Sequence, residues 1–190
     1  VMEDCRVLEA CREGKYTSVL VQTHDKKYVE YRTEHFVNAL GSGAGKLCDS
    51  MGIDAGLYPV RHQAFITRRL PMLGKHGTNL DMLIDRQDYK GFSAVYGQQI
   101  AYTGQIIGCA SPKLDAMRID KNLKVNTKAF LEIVSEMFSE WIPDLAGVGI
   151  QAVWAGYYTE PRYIVDPELG LFVGMRGHGF MLSQYIARMY

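Results

Sequence analysis

The chain has 190 residues, 47% hydrophobic and 22% charged, enough to bury a core in one domain or in one and a half. Its 21 basic and 21 acidic side chains cancel, so no long-range field favours a nucleic-acid backbone or an anionic membrane surface. The 19 glycines are clustered, which points to close backbone approaches and excludes a low-complexity linker.

Cys5, Cys11, Cys48 and Cys109 are scattered. They form no CxxC pair and lack a His partner at zinc-ligand spacing, so they read as small hydrophobes in a reducing, cytoplasmic protein. No apolar run approaches the ~18 residues of a spanning helix, and no leader pattern opens the sequence. The chain starts at Val1 and ends inside an apparent helix, so both ends read as cut.

In chain order, Tyr16–Val21 and Tyr28–Arg32 are β-rich runs around the polar turn Thr23–Lys27, a hairpin pattern. The apolar run His35–Leu40 ends at Gly41-Ser42-Gly43-Ala44-Gly45, and Lys46–Met51 reads as a short helix. Val60–Thr67 is a strand pattern between Pro59 and Pro71, and Leu80–Ile84, Phe92–Tyr96 and Gln105–Gly108 are further candidates. Asn126–Trp141 is the strongest helix: Asn126 or Thr127 can cap it. Phe130, Ile133, Val134, Met137, Phe138 and Trp141 recur at helical spacing, and Pro143 stops it. Gly149–Ala155 and Leu171–Gly174 read as strands, and Phe180–Tyr190 as a helix after Gly177-His178-Gly179. The fold class is α+β, without the regular alternation of a doubly wound sheet.

Chemistry concentrates in two glycine loops. Gly41–Lys46 fails the Walker A pattern twice, with Leu40 at its first Gly and Leu47 at its Ser/Thr. It also fails GxGxxG, because Lys46 stands at the third Gly. Two readings stay open: backbone N–H groups that meet an anion, or a plain strand-to-helix turn. The second loop, Gly174-Met175-Arg176-Gly177-His178-Gly179, opens an apolar helix. A helix N-terminus there suits a group that gains negative charge, such as a flavin C2 carbonyl; a tight turn explains the glycines as well.

Order and spacing add to this. Phe36–Gly41 (FVNALG) resembles the "VVNAAG" strand of the D-amino-acid-oxidase-like FAD-dependent oxidoreductases, the family of sarcosine oxidase, glycine oxidase and dye-linked amino-acid dehydrogenases. Gly56–Gln63 (GLYPVRHQ) resembles its "PVRGQ" strand, and Ile106-Ile107-Gly108 its hydrophobic-Gly strand. Trp141–Leu145 (WIPDL) is similar to the stop after its long helix, and Val153–Gly156 (VWAG) to its "WAG" element. Gly177–Leu182 (GHGFML) resembles "GHGGHGFML", the loop and helix beneath the flavin. The six stand in the family's order along nearly the whole chain, which resembles the family's C-terminal half.

The resemblance implies FAD and a two-part site. Residues 1–51 would belong to the FAD-binding domain, 52–162 to an antiparallel-sheet substrate domain, and 163–190 to the return strand and helix of the first. Gly177, His178, Gly179, Phe180 and Met181 would lie against the isoalloxazine, and Gly41 and Gly43 would approach the diphosphate or ribityl region. Trp154, Gly156, Tyr157 and Tyr158 would face the substrate side, with His62 either at the pocket or in the sheet. An amine or amino acid would lose hydride to the flavin, and the imine would be hydrolysed; holding the C–H in place matters more than acid–base machinery. No residue is assigned a catalytic role, and no metal is implied.

Two departures stand out. The family's usual carboxylate-clamping Arg is replaced by Tyr158, leaving Arg162, four residues on, as candidate clamp on the bidentate fit of guanidinium to carboxylate or as a solvent-facing loop residue. The family's N-terminal βαβ unit with GxGxxG does not occur in this sequence. A chain covering one half, an enzyme split over two chains, and a non-catalytic binding or assembly module that no longer holds FAD each account for this. The first is favoured, because both ends read as cut and the flavin-facing glycines are kept. Partners expected are a small amine or amino acid, with the missing half or a partner subunit, or homo-oligomer formation, covering exposed apolar surface.

Overall fold

The computed structural model describes residues 1–74, 77–86, 92–112, 123 and 127–189. The chain divides into two compact units, Val1–Pro59 with Tyr158–Tyr190, and Val60–Tyr157. The second is therefore a contiguous insert in the first.

In the first unit, β1 (Arg6–Glu13), β2 (Tyr16–Gln22) and β3 (Tyr28–Thr33) form an antiparallel meander. β2 alternates cleanly: Thr17, Val19 and Val21 are buried while their neighbours are partly exposed, the period of a strand with one face on a core. That face packs with Ala10 and with Leu47 of α1 (Ala44–Ser50). β1 has no counterpart in the sequence reading, because charges at Arg6, Glu9, Arg12 and Glu13 hide its pattern and a register irregularity between Val7 and Glu9 shifts its faces. His35–Leu40 makes no strand; Asn38 alone forms a parallel bridge, to Leu171. Later in the chain come β9 (Ile164–Asp166), paired antiparallel with β10 (Leu171–Val173), and α3 (Gly179–Ala187).

The second unit holds most of a five-stranded sheet of order β5-β6-β7-β4-β8. Its strands are β4 (Tyr58–Thr67), β5 (Leu83–Asp85), β6 (Phe92–Gln99), β7 (Ile106–Pro112) and β8 (Ile150–Glu160). β5–β6, β6–β7 and β7–β4 are antiparallel. The expected strand at 80–84 is thus three residues starting at Leu83, and Asn126 falls outside the described residues. α2 (Thr127–Trp141) buries Phe130, Ile133, Val134, Met137 and Phe138 in one stripe against Phe65, Val95 and Ile106, as their i, i+3/i+4 spacing requires. Phe65 meets Phe138 edge-to-face at 5.7 Å, a favoured ring geometry. Trp141 Nε1 donates to Asp85 Oδ2 at 2.8 Å, tying the end of α2 to β5. The architecture is α+β with antiparallel sheets, as the sequence leads one to expect. Among the described residues no helix is long and apolar enough to cross a membrane.

Candidate functional site

The first loop is fastened at both ends by one side chain. Asn38 is fully buried. Its backbone N–H donates to the Gly170 carbonyl at 2.8 Å, and its carbonyl accepts from Phe172 N–H at 3.1 Å. Its Oδ1 accepts from Leu40 N–H at 3.3 Å, while Nδ2 donates to the Ala44 carbonyl at 3.2 Å. Between these anchors Gly41–Gly43 form a 3-10 turn, with Gly41 at φ +56. That conformation suits glycine, and no atom lies within 4 Å of where a Cβ at Gly41 would stand. At Gly43 the nearest is Leu40 Cβ at 3.8 Å. The backbone of both residues is open to approach. Beneath the loop Cys48 is buried, and desolvation pushes its thiol up.

The second loop is braced by the segment that ends β8. Gly174, at φ +70, leaves no room for a side chain beside the Arg162 carbonyl. Arg176 takes the left-handed conformation at φ +51; its N–H donates to the Thr159 carbonyl at 3.2 Å and its Nε to Glu160 Oε2 at 2.8 Å. A Cβ on Gly177 would stand 2.5 Å from Cε2 of Tyr158. His178 precedes α3 without a side-chain capping bond, and its Nδ1 lies 2.6 Å from the Tyr163 hydroxyl.

α3 then begins at Gly179, and none of its residues is buried. Phe180 is 97% exposed and Met181 69%, an apolar start to a helix whose first N–H groups have no intrahelical acceptor.

The residues expected to face substrate are distributed as follows. On β8, strand alternation sets Trp154 and Gly156 on one face and Tyr157 on the other. Trp154 is 42% exposed, and nothing lies within 4 Å of a Cβ at Gly156. Tyr158 packs on Gly177. Arg162 is exposed, with its guanidinium 3.3 Å from the Ala55 carbonyl, to which it donates. His62 is buried on β4, 9% exposed, and desolvation pushes its pKa down to about 4; the imidazole is neutral at pH 7. Sequence reasoning missed Asn38 and Tyr163 as site residues. Asn38 carried a signal, a lone amide inside the apolar run 36–40; Tyr163 carried none. Among the described residues no group of three metal-binding side chains occurs.

The family described as FAD dependent oxidoreductase (DAO) matches residues 1–190. A comparison with curated proteins finds no match. Among solved structures, the chain is similar to L-proline dehydrogenase from P. horikoshii, at 26% identity and a TM-score of 0.69, over 97% of this chain and 48% of that one. Glycine oxidase from Geobacillus kaustophilus follows at 18% identity and TM-score 0.66, over 97% and 46%. Glycerol-3-phosphate dehydrogenase from Bacillus halodurans, complexed with FAD, shares the fold at 13% identity and TM-score 0.61, over 97% and 38%. The chain spans about half the length of the first two.

Proposed function

The chain belongs to the FAD-dependent oxidoreductase family named above, and from that premise we propose that it is part of an enzyme oxidising a C–N bond of an amine or amino acid. FAD, the family's cofactor, supplies the hydride acceptor when bound. The likeness to an L-proline dehydrogenase along 97% of the chain supports a C–N bond as the point of attack. The observation that carries the reading is the uncovered start of α3. A helix leaving Phe180 and Met181 in water forgoes ~1.5–3 kcal/mol for each side chain left unburied, which a large flat ring covering them would recover.

The residues present fit such a group. Gly41 and Gly43 hold open backbone where a side chain would obstruct a phosphate or ribityl chain, and Asn38 keeps that opening in shape. Gly179, Phe180, Met181 and His178 would meet the ring, while Gly177 serves by receding beneath Tyr158. On the substrate side Trp154 and Gly156 share one face of β8 and Tyr158 follows them, while Tyr157 lies on the strand's other face and the guanidinium of Arg162 is engaged by the Ala55 carbonyl. The neutral His62 would contribute hydrogen bonding rather than charge. The reaction asks these side chains to hold the amine neutral and its C–H aligned: the hydrogen would leave carbon with the C–H bonding pair for the hydride acceptor that FAD supplies, the nitrogen lone pair would form the C=N bond, and water would later hydrolyse the imine. The remaining half of the family fold, on the same chain or on a partner subunit, would complete the enzyme in the cytoplasm.

The test is anaerobic mixing of the purified full-length protein with amines and amino acids while the flavin's visible absorbance is followed. Bleaching by an amino acid or N-alkyl glycine is expected. Protein isolated without flavin and unable to take it up, or bleaching by a hydroxy substrate such as glycerol 3-phosphate alone, would refute the proposal.

A further inference from the structure

The loop from Gly174 to His178 is held more often than its backbone needs. Gly174 nests against the Arg162 carbonyl, Gly177 against the Tyr158 ring, and Arg176 is fixed twice, through its N–H to Thr159 and its guanidinium to Glu160. His178 N–H also donates to the Met175 carbonyl at 2.9 Å, and the Leu182 N–H returns to the His178 carbonyl at 3.0 Å. With the backbone so fixed, the bond between Tyr163 and His178 Nδ1, at 2.6 Å, adds little to loop placement. Its specific effect falls on the imidazole.

The two ring nitrogens of a neutral histidine are unlike: one donates, the other accepts, and a bond at one sets the other. A phenol is a far better proton donor than a neutral imidazole N–H, so the short contact is read as Tyr163 O–H donating to Nδ1. The proton of the ring then resides on Nε2. Among the described residues Nε2 has no partner, and His178 is exposed. We propose that Tyr163 is a positioning residue that holds His178 in the Nε2–H form, so that a single fixed donor is presented beside the start of α3 to an electron-rich oxygen of a bound ligand. On the reading above, on which the ligand's identity rests, that oxygen belongs to the flavin's pyrimidine ring; the tautomer itself does not depend on that reading.

The experiment uses the full-length protein, isotopically labelled at histidine nitrogen, with flavin removed and at about pH 8.5, where an ordinary imidazole is neutral. His178→Gln identifies the His178 signals by their loss. In the parent protein Nδ1 and Nε2 should be widely split, one acceptor-like and one donor-like. In Tyr163→Phe, which keeps the ring and loses the hydroxyl, they should move towards each other as the tautomers mix, with the urea midpoint unchanged. Identical nitrogen shifts in both proteins, or a parent protein protonated on Nδ1, would overturn the proposal. Adding FAD separates the two questions: a roughly threefold to tenfold weaker affinity in Tyr163→Phe is expected. No FAD binding by the parent would sink the cofactor reading and leave the tautomer result standing, whereas equal affinity in parent and variant would remove the ligand-facing role from Tyr163.

Discussion

The ring of Tyr158 fills the space that a side chain at position 177 would need, with Cε2 2.5 Å and Cζ 2.7 Å from the site of the absent Cβ. Two residues nineteen apart in sequence therefore constrain each other, and neither is free to vary alone. Gly177→Ala should destabilise the protein by about 1–3 kcal/mol, the usual range for overpacking. Adding Tyr158→Ala should return part of that loss. A double-mutant cycle in urea checks this: coupling near 0.5 kcal/mol or more is expected for residues in contact, and strict additivity would show that Gly177 is small for another reason.

Asn38 serves two acceptor and donor groups of the first loop from a site with no access to water. Asn38→Ala would remove the side-chain acceptor of the Leu40 N–H and the second donor to the Ala44 carbonyl, which α1 also engages, at about 0.5–1.5 kcal/mol for each hydrogen bond lost. We expect a lower urea midpoint, together with faster hydrogen exchange at Leu40 that Asn38→Asp would only partly restore. Unchanged exchange at Leu40 would show that the amide does not hold the loop.

The pH dependence of His62 has a definite sign. Burial lowers its folded-state pKa from 6.5 to about 4, so the unfolded chain binds the proton more readily. The stability tied to this residue is complete above about pH 6.5, declines as pH falls through the window, and is gone below about pH 4, at most about 3 kcal/mol in all. Urea unfolding at a series of pH values should show a shallower acid slope in His62→Gln than in the parent.

Arg162 already has a partner. Its guanidinium donates to the Ala55 carbonyl, so Arg162→Leu should cost about 1 kcal/mol of stability, the discount from a charged hydrogen bond reflecting its exposure. Its KM for an amino acid should stay within about threefold. A steep rise in KM at unchanged stability would instead show that the guanidinium leaves Ala55 for a substrate carboxylate.

Burial pushes the thiols of both Cys48 and Cys109 up, and the thiolate is the reactive form. Alkylation of the native protein at pH 8 followed by mass spectrometry should leave these two unmodified, with both labelled once urea is added.

Legibility in the sequence followed local pattern. α2 could be placed because its apolar stripe repeats every three or four residues and Pro143 ends it. The 16–33 hairpin could be placed because alternation survives on β2. β1 could not: only Ala10 of its eight residues is buried, and its register irregularity breaks the period on which such readings depend. The run at 35–40 misled in the opposite direction, since apolar residues there serve one parallel bridge and no ladder. In the candidate site the glycines were readable but their supports were not. What makes Gly177 small is Tyr158, and what orients His178 is Tyr163; both lie on another stretch of chain, where a single sequence gives no pairing signal.

The bridge from Asn38 to Leu171 sets an order of events at the ribosome. The first unit cannot close until residues beyond 157 have emerged, and one of its ties, Arg12 to the Glu168 carbonyl, joins positions 156 residues apart. The intervening unit is contiguous and is synthesised whole before those partners arrive. It is therefore free to fold while the meander waits with its loop unclamped, and non-local closure of that kind is slow. A nascent chain stalled before β10 would carry the buried amide of Asn38 with no strand to receive its backbone, a natural target for chaperone binding or proteolysis.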